Sequence, residues 1–144
     1  MPKDLPGLRG DYAREVLLTT RWDDNDLYGH LNNAVHYRLF DTAVNGLLIR
    51  DCGFDPVHSE LIGVVAESGC RYFSELQFPH PVIAGVRVGR LGNSSVRYEI
   101  GLFAEDALHA AAEGYFVHVF VDRSDRRPRP LPAAFRAGLS ALVP

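Results

Sequence analysis

At 144 residues and 16.0 kDa the chain has the size of one domain, which leaves no room for separate cofactor and substrate lobes. Its 47% hydrophobic and 23% charged residues are ordinary globular proportions and exclude disorder, collagen-like repeats and disulfide miniproteins. With 15 Lys and Arg against 18 Asp and Glu the net charge is −3, so no broad positive field draws in a phosphate polymer and no nucleic-acid partner is expected.

The first residues, MPKDLPGLRG, carry two prolines and mixed charges with no apolar run, and read as a loose arm over 1–10 rather than a signal peptide. No stretch approaches the ~20 apolar residues of a membrane helix, so no membrane partner is expected. Cys52 and Cys70 lack CxxC spacing and read as small buried hydrophobes in a reducing, cytoplasmic setting.

Tyr12 to Trp22 reads as a strand, broken by Asp23, Asp24, Asn25 and Asp26. From Leu31 to about Arg50 the period becomes helical. Val35, Leu39, Phe40, Ala43, Val44 and Leu47 sweep a broad apolar face, and Arg38, Asp41, Thr42 and Asn45 make a narrow polar stripe. So wide an apolar arc suits a helix embraced by a sheet. Asn32 or Asn33 is its candidate cap, Gly53 its terminator, and His36 on the apolar face reads as a satisfied core histidine.

Beyond a turn-rich link the chain is strand-like. An interrupted pattern over Leu61 to Phe78 is turned by Pro79 to Gly85 into a strand over Val86 to Leu91. Gly92 and Asn93 turn again into the alternation of Val96, Tyr98, Ile100 and Leu102, and the last strand spans Ala107 to Val121. Residues 123–144 form an arginine- and proline-rich tail with a short helix near Ala133 to Leu142. The order implies an α+β domain over 1–144, with one antiparallel sheet and one long helix. One helix covers one sheet face, so the other face calls for a partner, and a homo-oligomer is expected.

The segment DDNDLYGHLNNAVHY, Asp23 to Tyr37, is the one that apolar burial does not require. Three carboxylates, His30 and the Asn32–Asn33 pair crowd the entry of an apolar helix, where outward-pointing amides can polarise a carbonyl beside a carboxylate. An EF-hand does not fit, since Tyr28 and Val35 occupy ligand positions. Nor does a serine-hydrolase elbow at Gly92 and Ser94, where Val96 replaces the second glycine. Dinucleotide and P-loop glycine patterns are absent.

DDNDLYGHLNNAVHYRLFDTA, the later LGNSSVRYEI and the closing VFVDRSDRRPRPLP resemble the hotdog-fold acyl-CoA thioesterases of the 4-hydroxybenzoyl-CoA thioesterase type, over about Tyr12 to Leu139. The resemblance implies a curved antiparallel sheet wrapped around one long central helix, in homodimers or homotetramers with active sites between subunits. It implies hydrolysis of an acyl-CoA to a carboxylic acid and free coenzyme A, with no metal and no cofactor. Asp26 falls on the catalytic carboxylate, as base or as nucleophile. The backbone amides around Gly29, His30 and Leu31 would polarise the carbonyl, and the His30 and Asn32 side chains would orient water or the thioester.

Glu67 and Ser68 are further candidates, facing the helix entry of a partner subunit. Arg71, Arg90, Ser94, Ser95 and the tail arginines are candidates for the coenzyme A nucleotide and phosphates. Tyr37, Phe40 and Val44 would line the acyl pocket. Asp23 and Asp24 read as solvated turn residues or as charges that raise the proton affinity of Asp26. The competing reading is a hotdog module that binds acyl-CoA or an acyl-carrier protein without turnover, and a hotdog hydratase is a weaker third.

Overall fold

The computed structural model describes residues 5–144. The broad apolar run forms α1, Val35–Asp51, which buries His36, Leu39, Phe40, Ala43, Val44, Leu47 and Leu48. Its start lies later than the sequence pattern suggests: Ala34 is the N-cap and contributes no side-chain bond. Asn32 serves as a local cap one turn earlier, where its Oδ1 accepts the Ala34 amide at 3.0 Å and its carbonyl accepts the Val35 amide at 2.9 Å. The helix ends as expected just before Gly53, whose φ of +68° is the left-handed conformation that glycine adopts freely.

Five antiparallel strands wrap this helix: β1 Arg14–Leu18, β2 Leu61–Tyr72, β3 Val82–Leu91, β4 Ser95–Ala104 and β5 Ala112–Asp122, in the spatial order β1-β3-β4-β5-β2. Bulges between Val65 and Glu67 and between Val88 and Arg90 bend the ladders. This is the α+β hotdog arrangement that the sequence implies. Some boundaries differ from the expected ones. β3 begins at Val82 instead of Val86, because Gly85 is a ladder residue facing the Tyr12 ring and not part of a turn. β5 begins at Ala112, after Ala111 has received Phe73 and Ser74 amides from the β2–β3 connection.

The inner sheet face, including Val86, Val88, Tyr98, Ile100, Leu102, Phe116 and Phe120, forms one cluster with α1. α2, Ala133–Ser140, closes the far end through buried Phe135 and Leu139, and the Phe54 ring stacks on Phe135 at 5.5 Å. The tail therefore packs on the core. Arg123 donates to the Pro56 and Ser59 carbonyls, and Arg129 pairs with Asp125 at 2.7 Å.

One expectation needs correction. Residues 1–4 of the expected loose arm lie outside the described residues, but residues 7–11 are fastened down. Gly7 and Arg9 bond backbone to backbone with Ala110 and Leu108, and Arg9–Asp11 forms a 3₁₀ turn. The outer sheet face, for which a partner is expected, carries aromatic and charged groups. Tyr12 lies across Gly85 and Gly101, Arg87 and Arg97 both bond Glu99, and the Arg97 guanidinium sits 3.9 Å over the Tyr115 ring.

Two packing features are testable. Phe40 is seated in a notch at Gly114, where an added Cβ would lie 2.1 Å from Phe40 Cε2. Phe40 is 1% exposed and has nowhere to move, so Gly114→Ala should cost about 1–3 kcal/mol in denaturant unfolding. His118 is buried among Tyr98, Phe116 and Phe120, its Nδ1 is 3.1 Å from the Tyr98 hydroxyl, and burial pushes its pKa down to about 4. The unfolded chain then binds the extra proton first, so His118 stabilises the fold above its ordinary pKa and loses that contribution as pH falls toward 4. Between pH 7 and pH 5 the wild type should lose about 2 kcal/mol that His118→Phe does not, measured by unfolding at both pH values.

Candidate active site

The segment between β1 and α1 carries little regular structure, yet it is held from two sides. On the helix side Asp24 is 1% exposed and accepts the Arg21 amide at 2.7 Å and the Arg38 guanidinium at 2.5 Å. Burial opposes its ionisation, but the Arg21 amide and the Arg38 charge outweigh it and hold the carboxyl below the usual carboxylate range. Asp24 is therefore not a solvated turn residue, one of the two readings the sequence offers: it is the buried anchor of the loop. Asp23 does stay exposed.

On the other side the β2–β3 connection acts as a clamp. The Asn25 side chain accepts the Phe78 amide at 3.0 Å and donates to the Phe78 carbonyl at 3.4 Å. The Leu31 amide donates to the Leu76 carbonyl at 2.7 Å, and Gln77 Nε2 donates to the Gly29 carbonyl at 3.0 Å. Within this frame Gly29, at φ +88°, closes a turn in which its amide bonds the Asp26 carbonyl and the Tyr28 amide bonds Asp26 Oδ1 at 2.9 Å.

Asp26, His30, Leu31, Asn33 and His36 line one side of a cavity of about 440 Å³, and Tyr72, Ser74 and Glu75 line the other. The structure corrects the expected carbonyl donors. The Gly29 and Leu31 amides are consumed by the Asp26 and Leu76 carbonyls, whereas among the described residues the amides of His30 and Asn33 meet no acceptor. Those two amides belong to residues that line the cavity together with Asp26.

The His30 ring is stacked by Tyr28, its Nδ1 lies 3.3 Å from the Leu31 carbonyl, and its Nε2 lies 3.6 Å from Glu75. Asn32 is spent on capping and does not line the cavity. Glu75, Tyr72 and His36 were not expected at the site. Nothing in the local pattern marks them, because the connection that carries Glu75 reaches the loop only through the fold.

The remaining candidates are dispersed. Ser68 lines a second cavity of about 370 Å³ between α1 and β2, with Tyr37, Phe40, Val65 and Phe116, and Val44 is absent from that lining. Glu67 stands at the β2 bulge, on the Tyr115 hydroxyl. Arg71 lies on the outer sheet face, 4.0 Å from Glu113. Arg90, Ser94 and Ser95 surround the β3–β4 turn, at the opposite end of the sheet from the Val82–Ala104 pair nearest the site. Within one protomer they do not meet Asp26. Among the described residues no group of three or more His, Cys, Asp or Glu is placed to hold a metal ion, and no helix is long and apolar enough to cross a membrane.

Comparison with known proteins agrees with this architecture. No curated protein matches the chain. The PA5185 protein of Pseudomonas aeruginosa is 48% identical over 96% of both chains, with a TM-score of 0.94. A Thermus thermophilus thioesterase, solved as a complex with coenzyme A and Zn, is 31% identical over 91% of this chain and 94% of its own, with a TM-score of 0.74. The 1,4-dihydroxy-2-naphthoyl-CoA thioesterase Slr0204 of Synechocystis, at 10% identity, covers 88% of this chain and 94% of its own at a TM-score of 0.79 and shares the fold. Residues 20–139, which contain the clamped loop, the long helix and all strands but β1, match the thioesterase-like superfamily, and the chain belongs to that family.

Proposed function

We propose that the protein is an acyl-CoA thioesterase, releasing a carboxylic acid and free coenzyme A, with Asp26 as its carboxylate. The observation that carries this is the juxtaposition of Asp26 with the free amides of His30 and Asn33 at one cavity. Asp26 Oδ1 is engaged by the Tyr28 amide, which fixes the side chain and leaves the second oxygen for the reaction. A thioester is an activated acyl donor, so one base or nucleophile and a polarised carbonyl suffice. The two free amides would take up the negative charge that develops on the carbonyl oxygen. The complex of the Thermus thermophilus relative with coenzyme A supports a coenzyme A ester as substrate.

Purified protein should release thiol from at least one of a panel of short, long and aromatic acyl-CoAs. Asp26→Asn should lower kcat/KM about 10²–10⁴-fold. Unchanged turnover in that variant rejects Asp26. Co-purified ligand found by mass spectrometry, with no thiol release from any ester, would instead favour a binding module.

We infer further that the working unit is a homodimer joined along β2. Among the described residues that strand pairs only with β5, and Val64 and Val65 stand exposed on its twelve-residue run. Pairing two such edges would carry Glu67 and Ser68 to a subunit boundary. Light scattering should give the mass of two chains, and Val64→Lys with Val65→Lys should lower it toward one. A monomeric wild type rejects the pairing.

A further inference from the structure

We propose that His36 is a catalytic residue of this site: its Nε2 accepts a hydrogen from the water that attacks the thioester, alongside Asp26. The inference rests on the thioesterase reading above and deepens it. It begins with a polar atom that lacks a partner. His36 is 4% exposed, and its Nδ1 is the one buried side-chain nitrogen or oxygen without a hydrogen bond among the described residues. Such an atom is costly, and a histidine kept merely to fill the core would be replaced at a gain by an apolar ring of the same size.

The surroundings assign the two nitrogens different states. The Asn32 and Asn33 carbonyls act on the ring from the preceding turn, and both are acceptors only. They favour a proton on Nδ1, the nitrogen nearer the helix backbone, although neither reaches hydrogen-bond geometry with it. Nε2 is then left as a bare lone pair. It forms no hydrogen bond among the described residues and is not among the sealed atoms. The ring lines the same cavity as Asp26 and His30, and the Tyr72 ring stands at its side, 4.8 Å away and nearly perpendicular. Tyr72 is in turn fixed by a 2.7 Å bond from its hydroxyl to the Asn33 carbonyl. Burial, the largest influence, holds the imidazole below its ordinary value against the pull of the carbonyls, so it remains a neutral acceptor at pH 7.

Asp26 and His36 thus offer two acceptors to one water, which has two hydrogens to give. The water oxygen forms the new bond to the acyl carbon and its proton passes to the Asp26 carboxylate. The carbonyl oxygen takes up negative charge against the free amides, the C–S bond breaks, and the coenzyme A sulfur leaves with the electron pair and takes the proton from Asp26. His36 ends with the protons it began with. Its contribution is to fix the water's orientation, and it favours water over direct attack by Asp26 as the first step.

Two variants test this. His36→Phe keeps the ring volume and the Tyr72 contact but removes both nitrogens. It should melt at or above the wild-type temperature while kcat falls about 10²-fold, with KM within about threefold. His36→Gln restores an acceptor and should recover about 10-fold of that loss. A His36→Phe enzyme that turns over within about threefold of wild type overturns the proposal. So do equal losses in both variants accompanied by lowered melting temperatures, the mark of a packing residue. A wild type that releases no thiol from any acyl-CoA fails the thioesterase reading itself and this step with it, an outcome separate from an active wild type with an active His36→Phe.

Discussion

The site depends on the immobilisation of a short loop between two rigid bodies. Asp24, buried against Arg38, ties the loop to the first turn of α1, and Asn25, Leu31 and Gly29 tie it to the β2–β3 connection. A buried ion pair contributes little net stability because its desolvation cost is high, but removing one partner is expensive, so it enforces one geometry. Here that geometry decides which amides are used up. The clamp consumes Gly29 and Leu31 and leaves His30 and Asn33. Unsatisfied backbone donors are tolerable only where water or a ligand can reach them, and these two residues line a cavity that provides such access.

The scaffold supplies the stiffness that the clamp needs. α1 cannot slide along the sheet while Phe40 is keyed into Gly114, and the sheet behind it is knit by the Tyr98–His118 bond and the aromatic stack around it. Since Arg38 lies two residues before Phe40 on the same helix, the key that locks helix to sheet also fixes the anchor of the loop. The stability of the core and the position of Asp26 are therefore coupled through one turn of helix.

Much of this architecture was legible in the residues. The 3.6-residue period of Leu39, Phe40, Ala43, Val44 and Leu47 and the alternation of Val96, Tyr98, Ile100 and Leu102 are direct consequences of which side chains face the core. Boundaries were less so. Gly85 reads as a turn residue but serves as flat ladder under Tyr12, a tertiary contact that no local pattern encodes. At the site, Asp26 and His30 stood out because their types are unusual at the mouth of an apolar helix. The identity of the free amides did not, since every residue but proline carries an N–H and only the completed hydrogen-bond pattern tells which are spent. His36 shows the same limit from the other side. Its place on the apolar face marks it as buried, and it is, but burial and satisfaction are separate properties, and only the coordinates reveal the missing partner.

The two cavities between α1 and β2 lie in succession along one seam. His36 and Tyr72 bound the first, and Tyr37, Phe40 and Ser68 bound the second, one helical turn further on. Tyr72 and Ser68 both point toward the helix, because residues of even spacing on a strand share a face. The partly buried Cys70 lies between them in sequence and lines neither cavity, and burial pushes its pKa up to about 11, so the thiol stays protonated and is no competing nucleophile. If the proposed function holds, a thioester carbonyl at the first cavity would adjoin a second space lined by Tyr37, Phe40, Val65 and Phe116, with Arg38, Asp41 and Ser68 at its polar positions. β2 reaches both cavities through Tyr72 and Ser68, whereas the contacts that hold the Asp26 loop come from the β2–β3 connection and from Arg38, so a change in β2 that reshapes the seam leaves the clamp in place.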